Sequence, residues 1–263
     1  MTNDSNLNYI LTTLNIKFKA LKEYRTNVYM AFYANFMFIL ITTLFLKILV
    51  NNFGILIPWK LNEWIFFIIN FEFIHFLSGI LWFNCNLKKN LLEGNLNTYL
   101  TKPKNVFLQF VFLNIGSIAL ILGLLYLILF ILYLIFIKIN LLYFTLTFIF
   151  SIIGGIFNVI LFQYIISFSF FFKNANMIKD NLLNIQRVTE KHPAVMFPNS
   201  FQFIFAFIPL VYYSAYATHF LFGYMKIEQF FILFLQLIFL IFIFSIGLYY
   251  NWKIGLKKYE AFG

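Results

Sequence analysis

Acidic charge is what this sequence has least of. Nine Asp and Glu residues occur among 263, and charged residues of both signs make up only 11%. A soluble domain carries about 25% charged residues, so a water-soluble globular class is excluded. Cysteine is nearly absent: with Cys85 alone, neither an intramolecular disulfide nor a paired-cysteine metal site can form. The chain has no H-E-x-x-H pair, and His75, His192 and His219 stand far apart, so no metal or nucleophile–base cluster is marked. It also lacks a G-x-x-x-x-G-K-S/T phosphate loop, which excludes ATP binding of that kind by this chain alone. Residues 1–27 are polar and charged, with no apolar core before a small-residue cleavage site, so no cleavable signal peptide is expected. No fixed-period repeat or separate soluble domain stands out.

What the sequence does have is long uncharged apolar runs, with a mean hydropathy of +0.86. They predict helices over about 28–50, 64–85, 107–137, 141–170, 200–224 and 229–250. A bilayer core of about 30 Å needs about 20 apolar residues in a helix. Lipid offers backbone groups no water partner, so each crossing segment must satisfy its own hydrogen bonds. The expected fold class is an all-α membrane protein, with six transmembrane helices in one domain covering 1–263.

The net charge of +10 does not point to nucleic acid. With both termini placed in the cytoplasm, all basic residues but Lys47, Lys60, Lys138 and Lys226 fall on the inner side. Positively charged loops stay inside, so an even number of spans in a cell membrane follows, and attraction to anionic headgroups accounts for the excess. Residues 8–25 predict an amphipathic helix lying in the interface. Ile10, Leu14, Phe18 and Leu21 recur at helical spacing against Lys17, Lys22 and Arg25.

Several residues break the apolar pattern. Glu72, His75 and Ser78 share one face of the second span. An ionisable group at that depth faces protein or a water-filled cavity. Two readings stay open: a substrate path or proton-sensitive site, and a Glu72–His75 pair satisfied against a neighbouring helix. Gly116, Ala119 and Gly123 on the third span, and Gly154 and Gly155 on the fourth, are strips that let helices approach closely. Lys138-Ile139-Asn140 and Lys226-Ile227-Glu228 read as tight turns, the first joining an antiparallel hairpin. Pro209 removes one backbone donor in the fifth span and predicts a kink that can frame a gate.

The connection 86–104 is too apolar for a solvated linker. Leu91, Leu92, Leu96, Tyr99 and Leu100 alternate with charge and Asn, Gly94 bends the segment and Pro103 ends it. It should lie on the membrane surface or dock into a partner's groove. From Leu92 to Pro103 it reads LEGNLNTYLTKP. This resembles the loop of ABC-2-type ABC transporter permeases, in which a hydrophobic residue, an acidic or polar one, Gly, two spaced leucines and Pro follow in order. Further matches fall in sequence: Tyr24-Arg25 before the first span, His192-Pro193 with Pro198 before the fifth, and Ile208-Pro209 within it. The tail from Trp252 to Gly263, WKIGLKKYEAFG, is similar to the family's Trp, Gly-Leu, basic, basic, Tyr-Glu ending. One departure is the absence of a second proline late in the fifth span, where Ala215, Ala217 and Thr218 stand.

The resemblance implies a six-span permease of about 260 residues, one half of an exporter's membrane unit. It would pair with a second permease subunit, identical or related, and recruit separate ABC ATPase subunits. ATP and Mg would be bound there, with no cofactor in this chain. The loop residues Leu92, Gly94, Leu96, Tyr99, Leu100 and Pro103 would form the ATPase-coupling element, and the N-terminal amphipathic helix a second contact. The cargo does not follow from the family; the long apolar spans favour a hydrophobic or amphipathic one. Two other classes remain at this stage: an intramembrane enzyme using Glu72 and His75, and a structural or assembly membrane protein.

Overall fold

The computed structural model describes residues 2–53, 59–102, 105–172, 174–189 and 209–259. Expectations resting on Pro103, His192, Pro193, Pro198, Ile208 and residues 260–263 lie outside them. The described residues form helices joined by turns, with no strand among them. Four stretches are long and apolar enough to cross a membrane: Arg25–Asn52, Ser117–Phe136, Leu141–Phe170 and Ile227–Lys258.

The first helix, α1 (Thr2–Glu23), is followed after Tyr24 alone by α2 (Arg25–Phe53). Tyr24 N–H still donates to Ala20 O, and Val28 N–H to Tyr24 O, so the junction is a bend and not a loop. α3 (Leu61–Gly79) is interrupted by Asn62, Glu63, Asn70, Glu72 and His75. It is nevertheless the most enclosed helix, packing on α2, on α7 (Ser117–Phe136), on α8 (Leu141–Ser167) and on α10 (Pro209–Leu221). Two short helices follow it, α4 (Leu87–Leu92) and α5 (Asn97–Leu100), and then α6 (Val106–Leu113). α8 runs into a 3-10 turn at Phe168–Phe170, and α9 (Ala175–Thr189) comes next. α11 (Ile227–Lys258) closes the described chain.

The structure departs from the expected element bounds in four places, each for an identifiable reason. The second predicted helix stops at Gly79 and not at 85, and turns carry the chain through Ile80–Asn84. The third, expected as one helix over 107–137, is two, α6 and α7, parted at Asn114–Gly116. There Gly116 N–H donates to Ile80 O at 2.9 Å, and Asn114 Nδ2 donates to Phe110 O at 2.7 Å. The groups freed by the break are thus satisfied by the end of α3 and by a local side chain, which lets the helix break without orphaned backbone groups. The sixth helix runs on to Lys258, so the basic tail is helical. Finally, the polar stretch after α8 contains α9. Ala175, Lys179, Leu182, Leu183 and Gln186 are its inward positions. A buried stripe that includes Lys and Gln gives little apolar signal in sequence.

The turn Ile137–Asn140 is tight, with Lys138 at φ 56 and Asn140 Oδ1 accepting from Leu142 N–H at 3.0 Å. The helices it joins pack chiefly on α3, and they meet each other where the Phe130 and Phe148 rings lie 5.8 Å apart. The Phe73 ring of α3 joins this contact, lying 5.3 Å from Phe130 of α7 and 6.2 Å from Phe148 of α8. The small residues of both helices face α3 and α10. A Cβ at Gly116 would meet Gly79 O at 3.3 Å, one at Gly155 would meet Leu77 Cδ2 at 3.1 Å, and one at Gly154 would meet Tyr213 Cβ at 3.3 Å.

The end of the protein at α4 has its own apolar core. Trp82, Cys85, Leu87, Leu96, Phe110 and Phe162 are buried there, with Trp252 of α11 beside them. Trp82 stacks on Phe162 at 3.8 Å with ring planes 4° apart.

Candidate functional site

The connection between α3 and α6 folds as a small helical hairpin. Asn86 Oδ1 accepts from Lys89 N–H at 3.0 Å, which caps α4 and explains why a six-residue helix starts there. Gly94 reverses the chain at φ +68, in the left-handed region that glycine enters without Cβ strain. Leu96 N–H donates back to Asn90 O at 3.3 Å, and Gln109 Nε2 donates to Tyr99 O at 3.1 Å, tying the hairpin to α6.

The coupling residues named from the sequence divide into two sets. Leu96 is fully buried, as is Leu87, and both stand in the core with Trp82 and Trp252. Leu96 therefore anchors the hairpin and cannot itself touch a partner. Leu92 is 66% exposed and Leu100 46% exposed. Tyr99 is half-buried, its ring 6.5 Å from Phe110, and burial raises its hydroxyl above the usual tyrosine range. Gly94 sits at the tip with open space where a Cβ would stand, and Pro103 lies outside the described residues. What the hairpin presents is two leucines among Asn, Thr and one exposed Lys89–Glu93 pair at 3.9 Å. Sequence spacing could not separate anchors from presented residues, because both are leucines in a segment without a long period.

A second candidate lies inside the helices. Glu72 and His75 both line a cavity of about 370 Å3, with Asn35 of α2, Arg187 of α9 and Leu210 of α10. His75 is ringed by aromatic side chains, its centroid 5.0 Å from Phe83 and 5.3 Å from Phe76. Its Nδ1 is buried with no hydrogen-bond partner among the described residues, so an intrahelical bond from that atom to Glu72 is not made. Pro209 opens the described part of α10 beside this cavity; what precedes it lies outside the described residues.

Next to the cavity runs a polar chain that sequence reasoning missed apart from Ser78. Gln186 Nε2 donates to Asn158 Oδ1 at 3.2 Å, and Asn158 Nδ2 donates to Ser78 Oγ at 2.6 Å. Ser78 Oγ donates to His75 O at 2.9 Å and accepts from Trp82 Nε1 at 3.3 Å. α9, α8 and α3 are thereby joined through groups that lipid could not satisfy. Toward the hairpin, Gln163 Nε2 reaches Leu81 O at 2.6 Å and Cys85 Sγ at 3.3 Å. At the opposite end of α3, Glu63 accepts from Lys60 N–H at 2.9 Å and from Tyr224 O–H at 2.8 Å, a carboxylate bond that also raises the Tyr224 hydroxyl. The isolated Asn and Gln letters inside apolar runs were the only sequence signal for these contacts.

Contacts run without a gap from the hairpin to the cavity. From Ser78 to Glu72 is about two helical turns, and Ser78 bonds to Trp82, which stands in the core that clamps Leu87 and Leu96. The hairpin thus shares one packed core with α8 and α11 and reaches α3 through Trp82.

A family model described as ABC-2 family transporter protein matches residues 36–263. No curated protein and no solved structure matches the chain.

Proposed function

We propose, for a chain that belongs to the ABC-2 family of transporter proteins, that it is the membrane-spanning permease subunit of an ATP-driven exporter. In this reading it crosses a cell membrane six times with both termini in the cytoplasm, α3 and α10 completing the set begun by the four long apolar helices. It pairs with a second permease subunit, and separate ABC ATPase subunits supply ATP and Mg. The missing phosphate loop fits that division of labour.

One observation carries the reading: the hairpin is fixed to the body by buried Leu87 and Leu96 while Leu92 and Leu100 are left exposed. A connector with no partner gains nothing from exposing leucines, whereas a lever needs both a foot and a contact. Closure of the ATPases would push the hairpin, and the clamp would pass the push into α3, α8 and α11. Rigid elements shifting between two packings are a known route for such work. The cavity at Glu72 and His75 lies on the moving helix α3, and its mixed aromatic and polar lining suits an amphipathic cargo.

The test is co-purification of the full chain with a phosphate-loop ATPase and measurement of ATP turnover. Leu92→Asp combined with Leu100→Asp should insert and fold normally, since both side chains are exposed, yet lose the ATPase. Undiminished binding and turnover in that double variant would overturn the assignment. An intramembrane enzyme would instead keep its turnover without any ATPase and lose it in Glu72→Gln.

A further inference from the structure

A groove of about 580 Å3 lies between α6, α8 and α11, and none of the residues named from the sequence as functional lines it. α6 meets α11 at Trp252, whose ring lies 5.2 Å from Phe107 and 5.5 Å from Phe110. Val159, Ile160 and Gln163 of α8 form the floor. On α11 the lining extends from Ser245 to Leu256, a rise of about 16 Å along the helix. That is close to the depth of one leaflet, half of a hydrocarbon core of about 30 Å. α11 turns Phe239, Phe242 and Tyr249 outward, and Tyr249 is also a lining residue, so the groove is continuous with the apolar outer face of this helix. It is separate from the smaller groove that α4 walls with the end of α11 at Gly255 and Lys258.

The two ends of the groove differ in chemistry. The far end is apolar, with Phe112, Val159, Ile160 and Leu248. The end toward the basic tail gathers positive charge. Lys253 Nζ lies 5.6 Å over the Tyr249 ring, and both residues line the groove. The first turn of α6 is at the same end, where Asn105 Oδ1 accepts from Leu108 N–H at 3.2 Å. The first N–H groups of a helix have no intrahelical partner, and they attract anions. Among the described residues that line the groove none is acidic. Two of its lining side chains each keep a buried polar atom without a hydrogen-bond partner, Gln163 Oε1 and Trp252 Nε1. Gln163 is 1% exposed and Trp252 5%. One atom accepts and the other donates, and hydrocarbon chains can serve neither.

We propose that this groove binds one anionic phospholipid of the surrounding leaflet. Its acyl chain lies over α8 between α6 and α11, an ester carbonyl accepts from Trp252 Nε1, and its phosphate sits between Lys253 and the first turn of α6. A hydroxyl or water carried in with the headgroup serves Gln163 Oε1. An apolar cleft with a few placed polar groups is the usual form of a ligand site, and basic pockets between membrane helices select acidic headgroups. Anionic lipids concentrate in the cytoplasmic leaflet, the side on which the permease reading puts the tail of α11. The inference requires that α11 cross the bilayer and requires no ATPase, so it can fail without the permease reading failing.

Photo-labelling of the full chain in phosphatidylcholine vesicles tests this. The probes are trace phosphatidylglycerol and trace phosphatidylcholine, each with a diazirine on one acyl chain, and adducts are mapped by mass spectrometry of peptides. Phosphatidylglycerol should label the floor at Val159 and Ile160 about fivefold more than phosphatidylcholine does. Both probes should label the outward Phe239 equally, which also checks that each variant is inserted. Lys253→Glu should abolish the preference at the floor, and Lys253→Arg should keep it. Lys226→Glu, the same charge change at the other end of α11, should leave it in place. Equal labelling of the floor by the two probes would overturn the proposal, and so would a preference that Lys226→Glu abolishes as fully as Lys253→Glu. Labelling of Phe239 with none of the floor by either probe would mean that protein, such as a second copy of the chain, covers the groove, and would overturn it as well.

Discussion

α3 and α11 reverse what a soluble protein does with its residues. α3 carries Glu63, Asn70, Glu72 and His75, and it is enclosed by α2, α7, α8 and α10. α11 has no charged residue between Glu228 and Lys253, yet it turns Ile232, Leu235, Phe239 and Phe242 outward. Contiguous apolar exposure on that scale marks contact with something other than water. The difference teaches where the solvent is. Lipid tolerates Phe and Ile on the outside, and polar groups take refuge between helices where other polar groups can meet them.

Truncation should show the contrast most strongly. Phe66 of α3 is 0% exposed and Phe239 of α11 is 62% exposed. Phe66→Ala should cost about 3–5 kcal/mol by opening a cavity, whereas Phe239→Ala should cost under about 0.5 kcal/mol. Thermal unfolding in detergent micelles measures both, and equal losses would mean that α11 is packed on protein in the assembly. Inverting polarity is the next test. Phe239→Arg should raise the apparent insertion free energy by about 3 kcal/mol, read by glycosylation mapping of membrane insertion. Insertion unaffected by the arginine would place that face in water.

Smaller effects sharpen the other half of the contrast. Asn158→Leu removes both the donor to Ser78 Oγ and the acceptor for Gln186 Nε2. It should destabilise by about 1–3 kcal/mol although it makes the interior more apolar. A neutral or stabilising result would mean that the polar chain exists for transport and not for packing. Glu63→Gln should cost less than the loss of Asn158, about 1 kcal/mol, because Tyr224 is half exposed and its charge-assisted bond is partly replaced by solvent.

The chain reversal at Gly94 and the apolar surface offered by Leu92 and Leu100 were legible in sequence, because a turn glycine and a surplus of leucine in a connector are local signals. Leu96 was read with them, and only its burial against Trp82 and Trp252 separates it as an anchor. Glu72 and His75 were legible as misfits in an apolar run, and the structure places them on one cavity. Asn158 and Gln186 were not, since an amide inside a helix carries no mark of the partner it will find.

By itself, then, the order of residues determined the solvent, the helical character and the position of the turns. Each of these depends on local apolarity and on backbone groups that lipid cannot satisfy. Tertiary structure alone decided that α7 and α8 both pack chiefly on α3, that the third run breaks where Ile80 O takes the Gly116 N–H, and that the tail of α11 walls a groove with α4. Those outcomes turn on which side chains meet across tens of residues, and in a chain so uniformly apolar many pairings satisfy composition while few satisfy shape.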